Sequence, residues 1–316
     1  MIEAAPRGIW PILYAFFAPN GTLCRASMRR QVEALVAGGV PGIAALGLAT
    51  EVHKLTPDER RQVLHWLIED AAGRVPVAIT VFGETEAEQI GFVREAAAAG
   101  AAWVILQPPP RRPLAEDELL RFFGKVADAA PVPVAIQNAP QYLGVGLGDE
   151  ALLALRRHHP NFRLLKGEAG ALDIARTIRA LDGEVAVLNG RGGLELPDMH
   201  RAGCAGLIPA PECFDVQWRI WQAMERGRDA EADALYRRIL PLITFVMQSI
   251  PQFLCYGKRL AARRLGLGEV VDRPPCLAPE PLGLALLDRW SRGLGSWPAG
   301  LDARTGPDGR SRQVIS

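Results

Sequence analysis

A lysine closes one apolar run of this chain, Phe162-Arg163-Leu164-Leu165-Lys166, and a glutamate follows two residues later at Glu168. A lysine in that place is hard to keep as a solvated surface charge. If its side chain points inward, burial disfavours the ammonium and leaves a neutral amine able to attack a carbonyl. If it points outward, it snorkels to the rim or pairs with a carboxylate. The local sequence leaves both open. Residues two apart in a strand share a face, so Glu168 lies beside Lys166 if the extended conformation continues past the lysine. There it either moves protons or holds the lysine's charge.

Other runs end in polar residues too. Gln137 and Asn138 close Ala135-Ile136, and buried amides there need partners in backbone or ligand. Gly47-Leu48-Ala49-Thr50-Glu51 ends a third run. Its turn either presents backbone N–H groups and the Thr50 hydroxyl to a carboxylate or is an ordinary connection. Asn189-Gly190-Arg191-Gly192-Gly193 is a glycine-rich loop in which Gly190 allows close approach to a ligand. Arg191 either grips an anion bidentately or stays solvated. Pro108 to Pro113 is a stiff stretch whose Arg111 and Arg112 read as a solvated edge.

What positions these residues is a rhythm. Short runs rich in Val, Ile and Leu predict strands over Ile9–Phe16, Gly42–Ala49, Val75–Val81, Trp103–Gln107, Val132–Gln137, Phe162–Lys166, Val185–Asn189 and Gly206–Pro209. Near-continuous apolarity is what a strand covered on both faces requires. Helical periodicity fills the gaps over Ser27–Ala37, Thr56–Ala72, Thr85–Ala99, Ala115–Ala129, Asp149–His158 and Ala171–Leu181. Thr56 with Glu59, and Thr85 with Glu88, have the spacing of capping boxes. Strand and helix alternating about eight times predicts an α/β fold of the (β/α)8 TIM-barrel type. A doubly wound sheet is the rival, but no G-x-G-x-x-G follows the first strand. The alternation spans residues 1–211; residues 212–293 predict the last barrel helix and a C-terminal helical extension; residues 294–316 read as a weakly ordered tail. In a barrel, catalytic groups sit at the C-terminal ends of the strands, where every residue singled out above falls.

Bulk properties exclude several classes. With 36 basic against 35 acidic residues the net charge is +1, which leaves no electrostatic footprint for nucleic acid or an anionic membrane. No apolar stretch approaches the ~20 residues needed to span a bilayer, and the N-terminus lacks the pattern of a secretory signal. The five cysteines, at 24, 204, 213, 255 and 276, show no C-x-x-C pair and are expected as free, mostly buried thiols in a reducing, cytoplasmic compartment. The five histidines lack metal-ligand spacing, and no P-loop or G-x-S-x-G elbow occurs. A small soluble ligand, with no metal and no cofactor, fits these exclusions.

The pieces together resemble the dihydrodipicolinate synthase / N-acetylneuraminate lyase family of class I aldolases and dehydratases. The carrying residues are Gly47 to Glu51 with Leu55-Thr56 and Glu59-Arg60, then Asn138 and Pro140, then Lys166. Gly190 after Val187-Leu188-Asn189, Ala205-Gly206-Leu207-Ile208, and Gly257-Lys258-Arg259-Leu260-Ala261 complete the order. The resemblance implies that Lys166 forms an imine with pyruvate or another 2-oxo acid and that residues 48–50, Ala49 among them, hold its carboxylate. It also brings Gly190 and Ile208 to the substrate and implies a homo-oligomer, a tetramer or dimer.

Departures from the pattern narrow the activity. Leu48 and Ala49 stand where the family usually has hydroxyl residues, and Thr50 where it usually has glycine, so the Thr50 hydroxyl would take over part of their work. Gln137 replaces the usual tyrosine base and cannot accept a proton at neutral pH. Pro109 and Pro110 replace the tyrosines that commonly follow strand four, and Tyr142 falls where dihydrodipicolinate synthases carry arginine. A Gln-x-Ala-Pro ending with Lys-x-Glu resembles instead the branch of 2-keto-3-deoxy sugar-acid dehydratases, of the 2-keto-3-deoxyarabonate type, with Glu168 as acid/base. Gln137 and Asn138 would orient hydroxyls there. A pyruvate-dependent aldolase and a non-catalytic barrel that binds a 2-oxo acid are the alternatives.

Overall fold

The computed structural model describes residues 5–297 apart from Arg112. Eight strands form: β1 (Gly8–Ile9), β2 (Ile43–Ala45), β3 (Val77–Val81), β4 (Trp103–Leu106), β5 (Val134–Asn138), β6 (Phe162–Gly167), β7 (Ala186–Asn189) and β8 (Gly206–Leu207). They make one all-parallel sheet in the order β1-β8-β7-β6-β5-β4-β3-β2. Every residue of β3 and β4 is buried, the consequence of covering both faces. Past the end of β1 the chain also touches β2. Ile12 bridges Ala44, the Leu13 N–H donating to Ala44 O (2.9 Å) and the Ala44 N–H to Pro11 O (3.0 Å).

The first strand is shorter than the expected Ile9–Phe16. Pro11 has no N–H to extend a ladder, and the chain passes its hydrogen bonds from β8 to β2 within a few residues. Gly206 serves this crowded crossing, because a Cβ there would come within 2.2 Å of Gly8 O.

Helices α1 (Arg25–Ala37), α2 (Pro57–Ala71), α3 (Glu86–Ala99), α4 (Glu116–Ala129), α5 (Pro140–Leu143), α6 (Asp149–His158), α7 (Ala171–Ala180) and α8 (Leu196–Arg201) connect the strands. Both expected capping boxes form: Thr56 and Thr85 accept from the N–H of Glu59 and Glu88, whose carboxylates reach back. The C-terminal part is helical: α9 (Phe214–Glu225), α10 (Asp229–Val246), α11 (Ile250–Gln252), a π-helical turn Phe253–Gly257, α12 (Lys258–Arg264) and α13 (Pro281–Trp290). Ser249 caps α11 through the Gln252 N–H, so α10 ends and the chain re-enters a helix in a new direction at residues 247–249.

One buried network joins β8 to this extension. The Tyr14 hydroxyl donates to the Glu212 carboxyl (2.8 Å), while Arg264 donates to the Glu212 carbonyl (2.8 Å) and grips Asp215 with both terminal nitrogens (2.7 and 2.9 Å). Arg264 also lies under the Trp297 ring, which packs edge-on against Phe214. Trp297 is 3% exposed, so the start of the segment expected to be weakly ordered is packed; large aromatic area outweighs its Gly-rich surroundings. Residues 298–316 lie outside the described residues, as does Arg112.

Burial pushes the Glu212 carboxyl from its ordinary value of 4.5 up to about 7. The fold therefore favours the protonated acid. Its contribution is complete below pH 4.5 and is lost as pH rises through 7, by about 3 kcal/mol. Glu212→Gln keeps an acceptor for Tyr14 without the charge. Melting curves at pH 5 and pH 8 are expected to show the variant gaining on the wild type at the higher pH; parallel profiles would contradict this.

Candidate active site

Lys166 is the penultimate residue of β6, in register with Gln137 of β5 and Leu188 of β7. Its side chain is 5% exposed and its Nζ lies 2.9 Å from Glu168 Oε1. The extended path continues beyond the strand, for the Glu168 N–H donates to Asn138 O (3.0 Å). That continuity puts both side chains on one face, as their spacing required.

A row of amides supports the carboxylate. Gln107 Nε2 donates to Gln137 Oε1 (2.8 Å), and Gln137 Nε2 donates to Glu168 Oε1 (2.7 Å). Gln89 in turn donates to the Gln107 carbonyl (2.9 Å). Each donor in the series faces an acceptor, so Glu168 Oε1 is held as an acceptor for both Gln137 and the lysine. Gly190 leaves room for this arrangement: a Cβ there would stand 2.6 Å from the Glu168 carboxyl carbon.

Lys166 and Glu168 open onto a narrow cavity of about 40 Å³. Its walls include Ile12, Leu48, Ala49, Gly190, Arg191 and Ile208 from the sheet's C-terminal edge. Met247, Ile250 and Phe253, from the break after α10 and the turn beyond it, form the rest. Two other lysine side chains are as buried, Lys54 and Lys258, both ion-paired to Glu51 and neither on this cavity's wall. Lys166 is the buried amine that faces this cavity. A roomier cleft of about 410 Å³ between the β2–α2 turn and residues 272–277 contains Lys54, whose ammonium is spent on Glu51 and the Arg273 carbonyl.

Several expected site residues are placed otherwise. The Thr50 hydroxyl is fully buried, donating to Leu13 O (2.6 Å) and accepting from the Leu46 N–H (2.9 Å). It therefore secures the β2 turn to β1, and its oxygen is not available to a carboxylate. Asn138 spends its amide on both backbone groups of Leu147 (2.8 and 2.9 Å), clasping the loop after α5 instead of orienting a ligand hydroxyl. Gln137 lies behind Glu168, outside the cavity wall. Arg191 lies on the wall, yet its guanidinium is ion-paired with Glu195, so it is neither a free anion grip nor a solvated side chain. Among the described residues no protein acceptor meets the backbone N–H of Leu48, Ala49 or Thr50.

Sequence reasoning missed three contributions. Gln107 was passed over because nothing local marks an amide that works through a second amide. The cavity wall from Met247, Ile250 and Phe253 is ordinary helix-forming sequence that acquires its place from docking. Tyr142 was read only as a replacement, whereas its half-buried phenol lies within the fields of both Glu168 and Arg191. Burial, then the Glu168 charge, push this phenol up, against the opposing effect of Arg191.

Gly190→Ala tests the packing at the carboxylate. The added methyl must displace Glu168, and misplacing a catalytic group by an ångström costs on the order of 10²-fold in rate. Turnover is expected to fall by about that factor while Lys166 still forms a borohydride-trappable adduct; wild-type turnover would show that the carboxylate's position is unimportant.

Known proteins resemble this chain over most of its length. The profile of the dihydrodipicolinate synthetase family matches residues 5–280. An L-2-keto-3-deoxyarabonate dehydratase of Azospirillum brasilense is 31% identical over 245 residues, covering 75% of this chain and 78% of that protein. A 4-hydroxy-tetrahydrodipicolinate synthase of Methanothrix thermoacetophila is 29% identical over 242 residues, covering 75% of this chain and 80% of its own length. The crystal structure of YagE, a prophage protein of the dihydrodipicolinic acid synthase family from E. coli K12 in complex with pyruvate, superposes with a TM-score of 0.86 at 24% identity, over 92% of this chain and 99% of that one. That likeness speaks for the fold, and the profile together with the sequence relatives speaks for descent. The chain belongs to the dihydrodipicolinate synthetase family, whose members are lyases, and is itself a lyase.

Proposed function

We propose that this protein is a Schiff-base dehydratase acting on a 2-keto-3-deoxy sugar acid, built as a closed (β/α)8 barrel and working as a cytoplasmic homo-oligomer. The observation that carries the reading is the buried Lys166 amine, facing a cavity with Glu168 at 2.9 Å. Lys166 attacks the C2 carbonyl, water leaves, and the resulting iminium draws electrons from C3. Glu168 removes the C3 proton, hydroxide departs from C4, and hydrolysis of the imine frees the product. The imine is the electron sink, and the reaction calls for no metal or other cofactor. The unengaged N–H groups of the Leu48–Thr50 turn would hold the C1 carboxylate, with Gly190 and Ile208 shaping the wall around the reacting carbons.

Gln137 in place of a tyrosine base counts against the synthase activity named for one relative, and the dehydratase named for another keeps the C–O cleavage in view. Product analysis with five- and six-carbon 2-keto-3-deoxy acids is the test. A dehydratase conserves every carbon and releases water; pyruvate plus an aldehyde would mean aldol cleavage, and binding without turnover of any acid would mean a non-catalytic barrel.

A further inference from the structure

Among the described residues the cavity wall carries three charged side chains, Lys166, Glu168 and Arg191. The dehydration uses the first two, Lys166 at C2 and Glu168 at C3. The C1 carboxylate goes to the turn after β2, which β1 and β8 separate from β7. Arg191 is the charged group left for the far end of the acid. What its guanidinium can still offer decides which acids fit.

The loop after β7 holds this arginine in place. Arg191 has φ +50°, a left-handed conformation that a residue with a Cβ adopts at a cost. The Gly192 carbonyl accepts from the buried Gln217 amide (2.8 Å), and a Cβ on Gly192 would stand 2.8 Å from Met247. The loop is thus pinned from two sides. Glu195 lies off the cavity wall; its Oε2 meets Arg191 Nη1, and its Oε1 accepts from the Ala171 N–H (3.4 Å) at the start of α7. The two side chains are 25% and 35% exposed, so solvent screens the pair only in part.

We propose that Glu195 is a specificity residue: by neutralising Arg191 it restricts the site to acids whose far end is an uncharged hydroxymethyl group and excludes those that end in a second carboxylate. The role rests on the Schiff-base reading above. Each cation on the wall already has its anion, Lys166 with Glu168 and Arg191 with Glu195. A second carboxylate would enter beside Ile208, Met247, Ile250 and Phe253, and would either stay unpaired there or compete with Glu195 for the guanidinium. A hydroxyl carries no such cost, because the arginine keeps N–H donors that its partner does not use. Exclusion acts on binding and leaves the chemistry at C2 to C4 as it is.

Two six-carbon 2-keto-3-deoxy acids that differ only at C6 read the effect, a hexonate ending in CH2OH and a hexarate ending in a carboxylate. Borohydride trapping is the measurement, since imine formation precedes any loss of water. The wild type is expected to need at least about tenfold more hexarate than hexonate for half-maximal adduct, the scale of a charge left without its hydrogen-bond partner. Glu195→Gln keeps the size of the side chain and an oxygen for Arg191 and the Ala171 N–H, but removes the charge. It is expected to close the gap by improving the hexarate while the hexonate stays unchanged. Adding Arg191→Met to it should restore the gap. Equal half-saturation by the two acids in the wild type would overturn the proposal. So would a Glu195→Gln variant that discriminates as before, or one that weakens both acids alike, which would make Glu195 a support for the loop. The chemistry fails separately: adducts with the expected preference but no water lost would remove the dehydratase reading and leave the selectivity standing. No adduct with either acid would remove the imine, and this role of Glu195 with it.

Discussion

Lys166→Ala is expected to yield no borohydride-stable adduct with pyruvate or any 2-keto acid, and a fall in turnover of about 10⁴-fold or more, the scale on which losing a covalent nucleophile is felt. The size follows from the chemistry. Without the imine, the C3 proton must be taken from next to a neutral carbonyl, and no other group on the cavity wall withdraws electrons as an iminium does. Lys166→Arg sharpens the result, for it places a permanent cation beside Glu168 yet cannot form an imine; it is expected to be equally inactive. A circular dichroism melt of both variants distinguishes lost chemistry from lost fold. An adduct that survives in Lys166→Ala undiminished, for instance on Lys258, would place the reactive amine elsewhere.

Glu168→Gln is expected to split the reaction. The substitute fits the same space and can still accept from Gln137 through its carbonyl oxygen, so the row of amides persists. Imine formation should continue and the trapped adduct should appear. Proton removal from C3 should slow by about 10²- to 10⁴-fold, the usual worth of a positioned base. Deuterium exchange of the pyruvate methyl in D2O reads this step directly. Exchange at the wild-type rate would mean that Glu168 does no more than neutralise the lysine.

The alternation of strands and helices was legible because β3, β4 and their neighbours are covered on both faces and so must read as unbroken apolar runs. Capping boxes were legible for a related reason: Thr56 with Glu59 is a contact between residues three apart, and its geometry is local. Lys166 and Glu168 shared that advantage, their common face following from the period of a strand. Thr50 and Asn138 misled because a hydroxyl or an amide at a strand end looks the same whether its partner is a ligand or a backbone group. Here the partners are Leu13, Leu46 and Leu147, and only the folded chain supplies them. The path of β1 failed for want of weighing Pro11. Phe253 reaches the cavity across folded distance, from a π-helical turn that carries no periodic signal.

Phe253, Ile250 and Met247 enclose the Lys166 amine, yet ribosomes make them long after Lys166. At ordinary rates of elongation the delay is on the order of ten seconds. For that interval a half-made chain has no buried amine, only a lysine side chain in water like any other. Competence therefore arrives late in biosynthesis, when the last helices dock, and a chain cut short before residue 247 would keep its lysine but have no ceiling over it.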